Sequence, residues 1–500
     1  CVEGHQYPQD EINENWKILL RNQFHDILPG SSITEVYEDS EEEFAELFQS
    51  GEKHLDNALD SIASQIGLDG EKLVVFNSLP WERSGIVALP WNEESAGKGF
   101  YTENGTRLLS KVVEYDGSKR VEIQVPNIPG LGYKTFIIRS DDGSQFPEIA
   151  RGVQFKDGVI ESKYYRITLN ECGQIVSLYD KEAQREVVPK GKAANVLQAF
   201  EDRPMSFDAW DIDIYYREKE YPVNNLVKWD VLENGPDRVV LDFQWKFSDS
   251  VINQKMIVYA DHRRIDFRTD VDWNEHQILL KAAFPVDVRS TKATYEIQFG
   301  NVERPTHWNT SWDYAKFETV AQKWVDLSER DYGVSLLNDC KYGHDIKDNV
   351  MRITLIKSGI DPDPYADQGH HQFTYSLLPH EGDWFHAETT QAAYELNYDL
   401  LASYVNTPAG KLPAEGRLLT VESKSTILDT VKKSEDGTDL VLRFYEFGNR
   451  RDRVSVQFPE TLESVTECNL MEEDDQPVEF DENGFSFELK PYEIRTFKIK

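Results

Sequence analysis

Residues 19–40, LLRNQFHDILPGSSITEVYEDS, set a histidine and an aspartate side by side, His25 and Asp26, just ahead of a Pro29-Gly30 break. An imidazole there can complement the dipole at a helix C-terminus, or it can act as a metal ligand or catalytic group. A zinc site with open positions takes three or four protein ligands, and no second histidine follows four residues on. Any partners of His25 must come from distant sequence. A second constellation is Asp208, Asp211 and Asp213 in DAWDIDIYY (208–216), readable as a paired-acid site or as a loop or strand edge on an acidic protein. A third is His370-His371, after the acidic stretch DPDPYADQG (361–369). Adjacent strand residues point to opposite faces, so these two cannot easily ligate one ion, and anchoring a loop is the plainer reading. Trp308, Trp312 and Tyr342 are of the type that stacks on sugars, although most aromatics in β-rich chains are core.

The elements that must position these groups fall into two textures. In residues 1–68, Ile12, Trp16, Leu19, Leu20, Gln23 and Ile27 recur at helical spacing and form one stripe. His25 then lies about 180° from Trp16, among Ile18, Arg21 and Asn22, on a mixed face suited to docking against another domain. Ser32 with Glu35 reads as a capping box for a second, long amphipathic helix, broken near Gly51 and packed on the first as a hairpin. From Lys72 the apolar period changes to two. KLVVFNSLPW, KRVEIQV, RVVLDFQWKF, RITLIK and LVLRFYEF are β-branched or aromatic runs between turn residues such as Glu435-Asp436-Gly437 and Asn483-Gly484. There is no βαβ alternation. The expected fold is therefore α+β overall and mostly β, an N-terminal antiparallel helical hairpin followed by antiparallel β-sandwich domains. The expected segments are 1–68 helical, 69–150 a small β domain, 151–410 a large β region and 411–500 a C-terminal sandwich. TPAGKLPAEG (407–416) is the most linker-like stretch.

Composition narrows the partners. A net charge of −35 disfavours nucleic acid and anionic membrane surfaces, and no apolar run approaches a membrane span. Neutral small molecules such as sugars are compatible with it. Cys1, Cys172, Cys340 and Cys468 lie far apart, at neither metal nor redox spacing, and read as isolated buried thiols of a reducing compartment. The start is polar, unlike a signal peptide, and lacks a methionine, so residue 1 is not expected to be the biological start.

Seven stretches, in order, are similar to one family: NQFHDILPGSSI (22–33), VVFNSLPWERSGIV (74–87), GQIVSLYDK (173–181), DAWDIDIYY (208–216), RPTHWNTSWDYAKFE (304–318), QKWVDLSERDYGVSLLNDCKYG (322–343) and DPDPYADQGHHQFTYSLLPH (361–380). They resemble glycoside hydrolase family 38, the retaining α-mannosidases. The last three resemble the branch of cytosolic, vacuolar and many bacterial enzymes, which implies a cytoplasmic location. The resemblance implies that His25 is a ligand of one divalent metal, zinc or alternatively cobalt, and that Asp26 contacts the bound mannose. In the family, the aspartate nucleophile and an Asp-x-His pair of ligands come from an N-terminal barrel-like domain. No Asp-x-His stands in a suitable context here, so this chain is expected to hold no catalytic carboxylate and to be inactive alone. Its partners would be the missing N-terminal catalytic domain and an α-mannoside oligosaccharide, with homo-oligomerisation left open. The rival reading is a stand-alone carbohydrate-binding or scaffold β-sandwich module. The first 28 residues argue against it, because a lectin has no need of a His-Asp helix. A divergent enzyme of the same fold acting on another sugar would differ only in pocket residues.

Overall fold

The computed structural model describes residues 7–91, 97–115, 118–141 and 152–500. Two helices, α1 (Gln9–Asn22) and α2 (Thr34–Ala63), precede a mostly β chain of antiparallel sheets, with short helices at Ser311–Ala315 and Thr389–Asn397. α2 runs through Gly51 unbroken, contrary to the expected break. Its first residue is Thr34, so Ser32 does not cap it as expected, and the Ser32 N–H is bound by the Tyr37 hydroxyl. The chain divides into two compact units. One comprises Cys1–Ile12, Gln49–Glu148 and Tyr398–Lys500, the other Asn13–Phe48 and Ile149–Asn397.

In the first unit, strand Gly70–Asn77 lies between Gly132–Ser140 and Leu401–Thr407. Residues 401–407, read from sequence as the end of the large β region, therefore complete the small β domain. The expected boundary near 410 moves to Tyr398. The stretch 407–416 is not a free linker either. Gly410 and Leu412 N–H groups donate to Ile66 and Gln65 carbonyls, and a Cβ on Gly410 would lie 2.1 Å from the Gln65 oxygen. The C-terminal part is a sandwich as expected. A three-stranded and a five-stranded sheet share a core of Leu442, Phe444, Val456, Phe485, Phe487 and Phe497. The expected boundary near 150 lies outside the described residues.

The second unit places five-, six- and nine-stranded sheets around one core. Its runs explain why. Arg238–Phe247 and Ser250–Tyr259 keep apolar side chains such as Leu241, Phe243, Ile252 and Met256 on the core, while polar neighbours face out. GQIVSLYDK supplies the second strand of a hairpin, Ile175–Asp180 pairing with Tyr165–Leu169. Asn170 Oδ1 accepts the N–H groups of Cys172 and Gln174, and Gly173 turns the chain at φ +77°. A Cβ on Gly173 would lie 3.0 Å from the rings of Phe243 and Trp245, so the close packing also favours glycine there.

Candidate functional site

The His-Asp pair lies beyond the end of α1, in a tight turn rather than in the helix. Backbone bonds from Ile27 and Leu28 N–H to the Phe24 carbonyl, and from Ser31 N–H to the Asp26 carbonyl, wrap the chain around it, and Gly30 leaves at φ +76°. Three sets of side-chain contacts hold it. The Tyr37 hydroxyl donates to the Asp26 carbonyl at 3.1 Å and accepts the Ser32 N–H at 2.9 Å. Ser31 Oγ, itself buried, donates to Asp26 Oδ1 at 3.4 Å. Arg21 and Asn22 both bond Glu43 of α2, with Asn22 Nδ2 to Oε2 at 2.7 Å. Burial raises the Tyr37 hydroxyl above its usual pKa; the Ser32 N–H opposes this, and the carboxylates of Asp363, Asp367 and Asp26 add to it.

The turn presents His25 outward. Its side chain is 76% exposed, with Nε2 3.7 Å from Asp26 Oδ2, and the Asp26 side chain is 47% exposed. The Phe24 ring sits beside the imidazole at 4.3 Å. The helix departs from the sequence expectation at particular positions. Asn22, on the polar face, is buried against Glu43 of α2, whereas Trp16 and Leu20, expected in the core stripe, are exposed, as is Phe24; Ile12, Leu19 and Ile27 of that stripe are half-buried. An amide and a guanidinium meeting a partly buried carboxylate satisfy one another, so hydropathy alone misjudges which residues are inside.

A distant loop joins the turn. Thr34 Oγ1 donates to Asp363 Oδ1 at 2.6 Å, and the same oxygen accepts the Tyr365 N–H. His371 stands 2.8 Å from the Asp367 carbonyl and anchors this loop, while His370 faces Asp270 at 2.9 Å; the two histidines serve different partners, as strand alternation requires. Asp208 is buried, its Oδ2 accepting the Ile360 N–H and its carbonyl accepting Lys357 Nζ at 2.6 Å. Asp213 caps the Met205 N–H, and Asp211 is exposed on a turn. These contacts make the three aspartates loop-forming groups. Trp308 lies under cations, with Arg217 at 4.6 Å and Lys347 at 5.2 Å, whereas Trp312 and Tyr342 are exposed. Tyr37, Ser31 and Asp363 escaped the sequence reading. In the sequence Tyr37 falls at helical spacing among apolar residues of the second helix, which gives no sign that its hydroxyl is used, and nothing links Thr34 to a loop 329 residues away.

Two buried constellations imitate active sites. Ser335, His380 and Asp326 converge, but His380 Nε2 meets both Ser335 Oγ (3.2 Å) and Asp326 Oδ2 (2.8 Å), and all three are buried. A serine nucleophile needs a histidine that uses one ring nitrogen for the hydroxyl and the other for the carboxylate, with the hydroxyl accessible. This is a structural knot. The other centres on Lys281, fully buried, with Nζ 2.6 Å from Glu318 Oε2 and 2.7 Å from Asp345 Oδ2. Arg217 and Arg352 each reach Asp345 Oδ1 at 3.0 Å. Burial favours neutral Lys281, but Asp345 and Glu318 outweigh it and hold the ammonium above its usual range. The reverse applies to Asp345, which burial would raise but which Lys281, Arg352 and Arg217 hold low.

For a metal, the donor set decides. Among the described residues no group of three or more His, Cys, Asp and Glu could hold an ion. His25 offers one accessible imidazole beside a carboxylate, which fits one ligand of a site completed by other groups. The described cysteines form no disulfide; Cys468 is buried, but Cys340 is exposed and Cys172 intermediate, so the expectation of buried thiols holds for one of them. Cys1 lies outside the described residues. No described helix is long and apolar enough to cross a membrane.

Against known proteins, residues 2–62 match the alpha mannosidase middle domain, residues 160–365 the glycosyl hydrolases family 38 C-terminal domain, and residues 425–497 the family 38 C-terminal beta sandwich domain. The chain is similar to alpha-mannosidase G of Dictyostelium discoideum, 33% identical over all of this chain and 48% of that protein. It is likewise similar to alpha-mannosidase 2C1 of Homo sapiens, 33% identical over 99% of this chain and 46% of that one. It thus spans about half the length of the curated relatives it matches. The crystal structure of an alpha-mannosidase from Enterococcus faecalis superposes on all of this chain with a TM-score of 0.84 at 17% identity, over 64% of that chain, a likeness of fold.

Proposed function

We propose that this chain, which belongs to glycoside hydrolase family 38, is the metal-ligating and sugar-contacting half of an α-mannosidase that removes terminal α-mannosyl residues from oligosaccharides. The observation that carries this is the outward-facing His25-Asp26 pair, held on a turn clamped by Tyr37 and Ser31. His25 contributes one imidazole to a divalent metal, zinc or cobalt. When bound there, the metal supplies an electrophilic anchor for vicinal sugar hydroxyls. Asp26 accepts a hydroxyl of the same mannose and fixes the ring against the turn. The Tyr37 hydrogen bond to the Asp26 carbonyl keeps both side chains aimed outward, so little ordering remains when substrate arrives.

The chemistry at the anomeric carbon falls to groups outside this chain. Hydrolysis with retention needs a nucleophilic carboxylate and an acid/base carboxyl about 5–5.5 Å apart. Asp208, Asp211 and Asp213 are taken up by loop hydrogen bonds, a turn and solvent. The N-terminal catalytic domain would supply the pair, and the family branch favours a cytoplasmic setting. The test is hydrolysis of an aryl α-mannoside by the full-length protein and by the 500-residue chain alone, each with and without zinc. Metal-dependent turnover is expected from the first and none from the second. Turnover by the 500 residues would place the catalytic carboxylates here, and an inactive full-length protein would overturn the activity.

A further inference from the structure

We infer that strand Leu226–Asn234 is a self-pairing edge, by which two copies of this chain join their nine-stranded sheets. The strand closes one end of that sheet, pairing on one side with Arg238–Phe247. Residues 227–232 are all exposed, apolar ones included: Val227, Trp229 (48% exposed), Val231 and Leu232. An exposed edge strand is a template for a further strand, and here its two charges are of opposite sign and symmetrically placed, so they match a second copy rather than repel it.

The sequence of this edge names the strand that fits. Residues 226–232 read Leu-Val-Lys-Trp-Asp-Val-Leu, the same in both directions except that lysine exchanges with aspartate. In an antiparallel pair with a two-fold axis at Trp229, Leu226 meets Leu232 of the second copy, Val227 meets Val231, and Lys228 meets Asp230. A two-fold interface demands this self-complementarity, in which each contact occurs twice. The strand is bulged at Val227 and Leu232 against Arg238–Phe247, so the regular ladder is the charge-matched Lys228–Asp230 stretch about Trp229, and the valines and leucines meet as flanking apolar contacts. Within one copy Lys228 already faces Asp230 (3.0 Å) and Asp242 (3.6 Å). Pairing exchanges Asp230 for its twin, so the charges select register and partner, and the apolar groups supply affinity. Trp229 stacks on Phe243 at 6.4 Å and meets Phe155 edge-on, beside an apolar cavity of about 250 Å³ lined also by Leu169 and Leu226. That surface continues the edge and extends the contact beyond the ladder.

The test is a charge-reversal set in the full-length protein, read by sedimentation equilibrium. Lys228→Asp alone sets two carboxylates opposite each other across the pair, and Asp230→Lys alone opposes two lysines; each should weaken self-association at least about tenfold. Lys228→Asp with Asp230→Lys together restores complementarity and should restore the wild-type state. An equimolar mixture of the two single variants should associate although neither does alone. A wild-type protein that stays monomeric at micromolar concentration would overturn the inference. So would single variants that associate as wild type does, or a mixture that stays dissociated.

Discussion

Replacing Asp345 by asparagine leaves Lys281 buried beside one carboxylate and two arginines. The intact cluster has three cations, Lys281, Arg217 and Arg352, around two carboxylates, Asp345 and Glu318. Asp345→Asn removes the one anion that all three touch. The arginine side chains are one-fifth exposed and can turn to water, but Lys281 is fully buried and cannot. Breaking a buried ion pair from one side costs about 3–5 kcal/mol. Lys281→Met removes a cation instead, leaving two against two, with Asp345 still on both arginines and Glu318 still accepting Thr354 Oγ1 at 2.7 Å. Its expected cost is about 1–2 kcal/mol, from imperfect packing and one lost donor. The double variant should be more stable than Asp345→Asn alone. Native-state hydrogen exchange read on strands Ile278–Pro285 and Gly343–Lys347 gives local opening free energies without assuming that the whole chain unfolds at once. The pH dependence has a fixed sign. Asp345 is held below its unfolded pKa of about 3.9, so its contribution is present above that value and lost as pH falls below it. The gap between wild type and Asp345→Asn should close in acid. If Lys281→Met cost as much as Asp345→Asn, or the double variant were simply additive, the charge count would be the wrong explanation.

Asp26→Asn in the full-length protein should retain metal while KM for an aryl α-mannoside rises about tenfold or more, because one charge-assisted hydrogen bond to the sugar is lost; steady-state kinetics beside metal analysis check this. Tyr37→Phe removes the clamp on the Asp26 carbonyl without changing shape, and should lower kcat with metal content preserved, read by the same two measurements. Gly410→Ala sets a methyl 2.1 Å from the Gln65 oxygen. It should destabilise the first unit by about 2 kcal/mol or more, seen as a lower midpoint in urea.

Most of the strand content was legible because period-two runs such as 238–247 carry their own burial pattern, and the Asn170–Gln174 turn declares itself by its side-chain chemistry. The His-Asp pair was legible only through family resemblance. What could not be read is long-range. Leu401–Thr407 pairs with Gly70–Asn77 across more than three hundred residues, and its alternation would have suited any sheet. The burial of Asn22 in α1 follows from its finding Glu43, with Arg21 bonding the same carboxylate from the surface, a satisfaction of polar groups that hydropathy does not score. Gly51 stays helical because a single glycine costs only about 1 kcal/mol, little in a helix of 30 residues. The Tyr37 clamp was hidden because a tyrosine at an apolar helix position looks the same whether or not its hydroxyl is used.

The role of His25 is decided by the metal content of the full-length protein beside its His25→Ala variant, measured by mass spectrometry of the metal after dialysis, with circular dichroism to establish that the variant is folded. A divalent metal is expected in the wild type and should be lost or markedly weakened in His25→Ala, together with hydrolysis of the aryl α-mannoside. A folded variant that keeps the wild-type stoichiometry would contradict the assignment of His25 as a ligand.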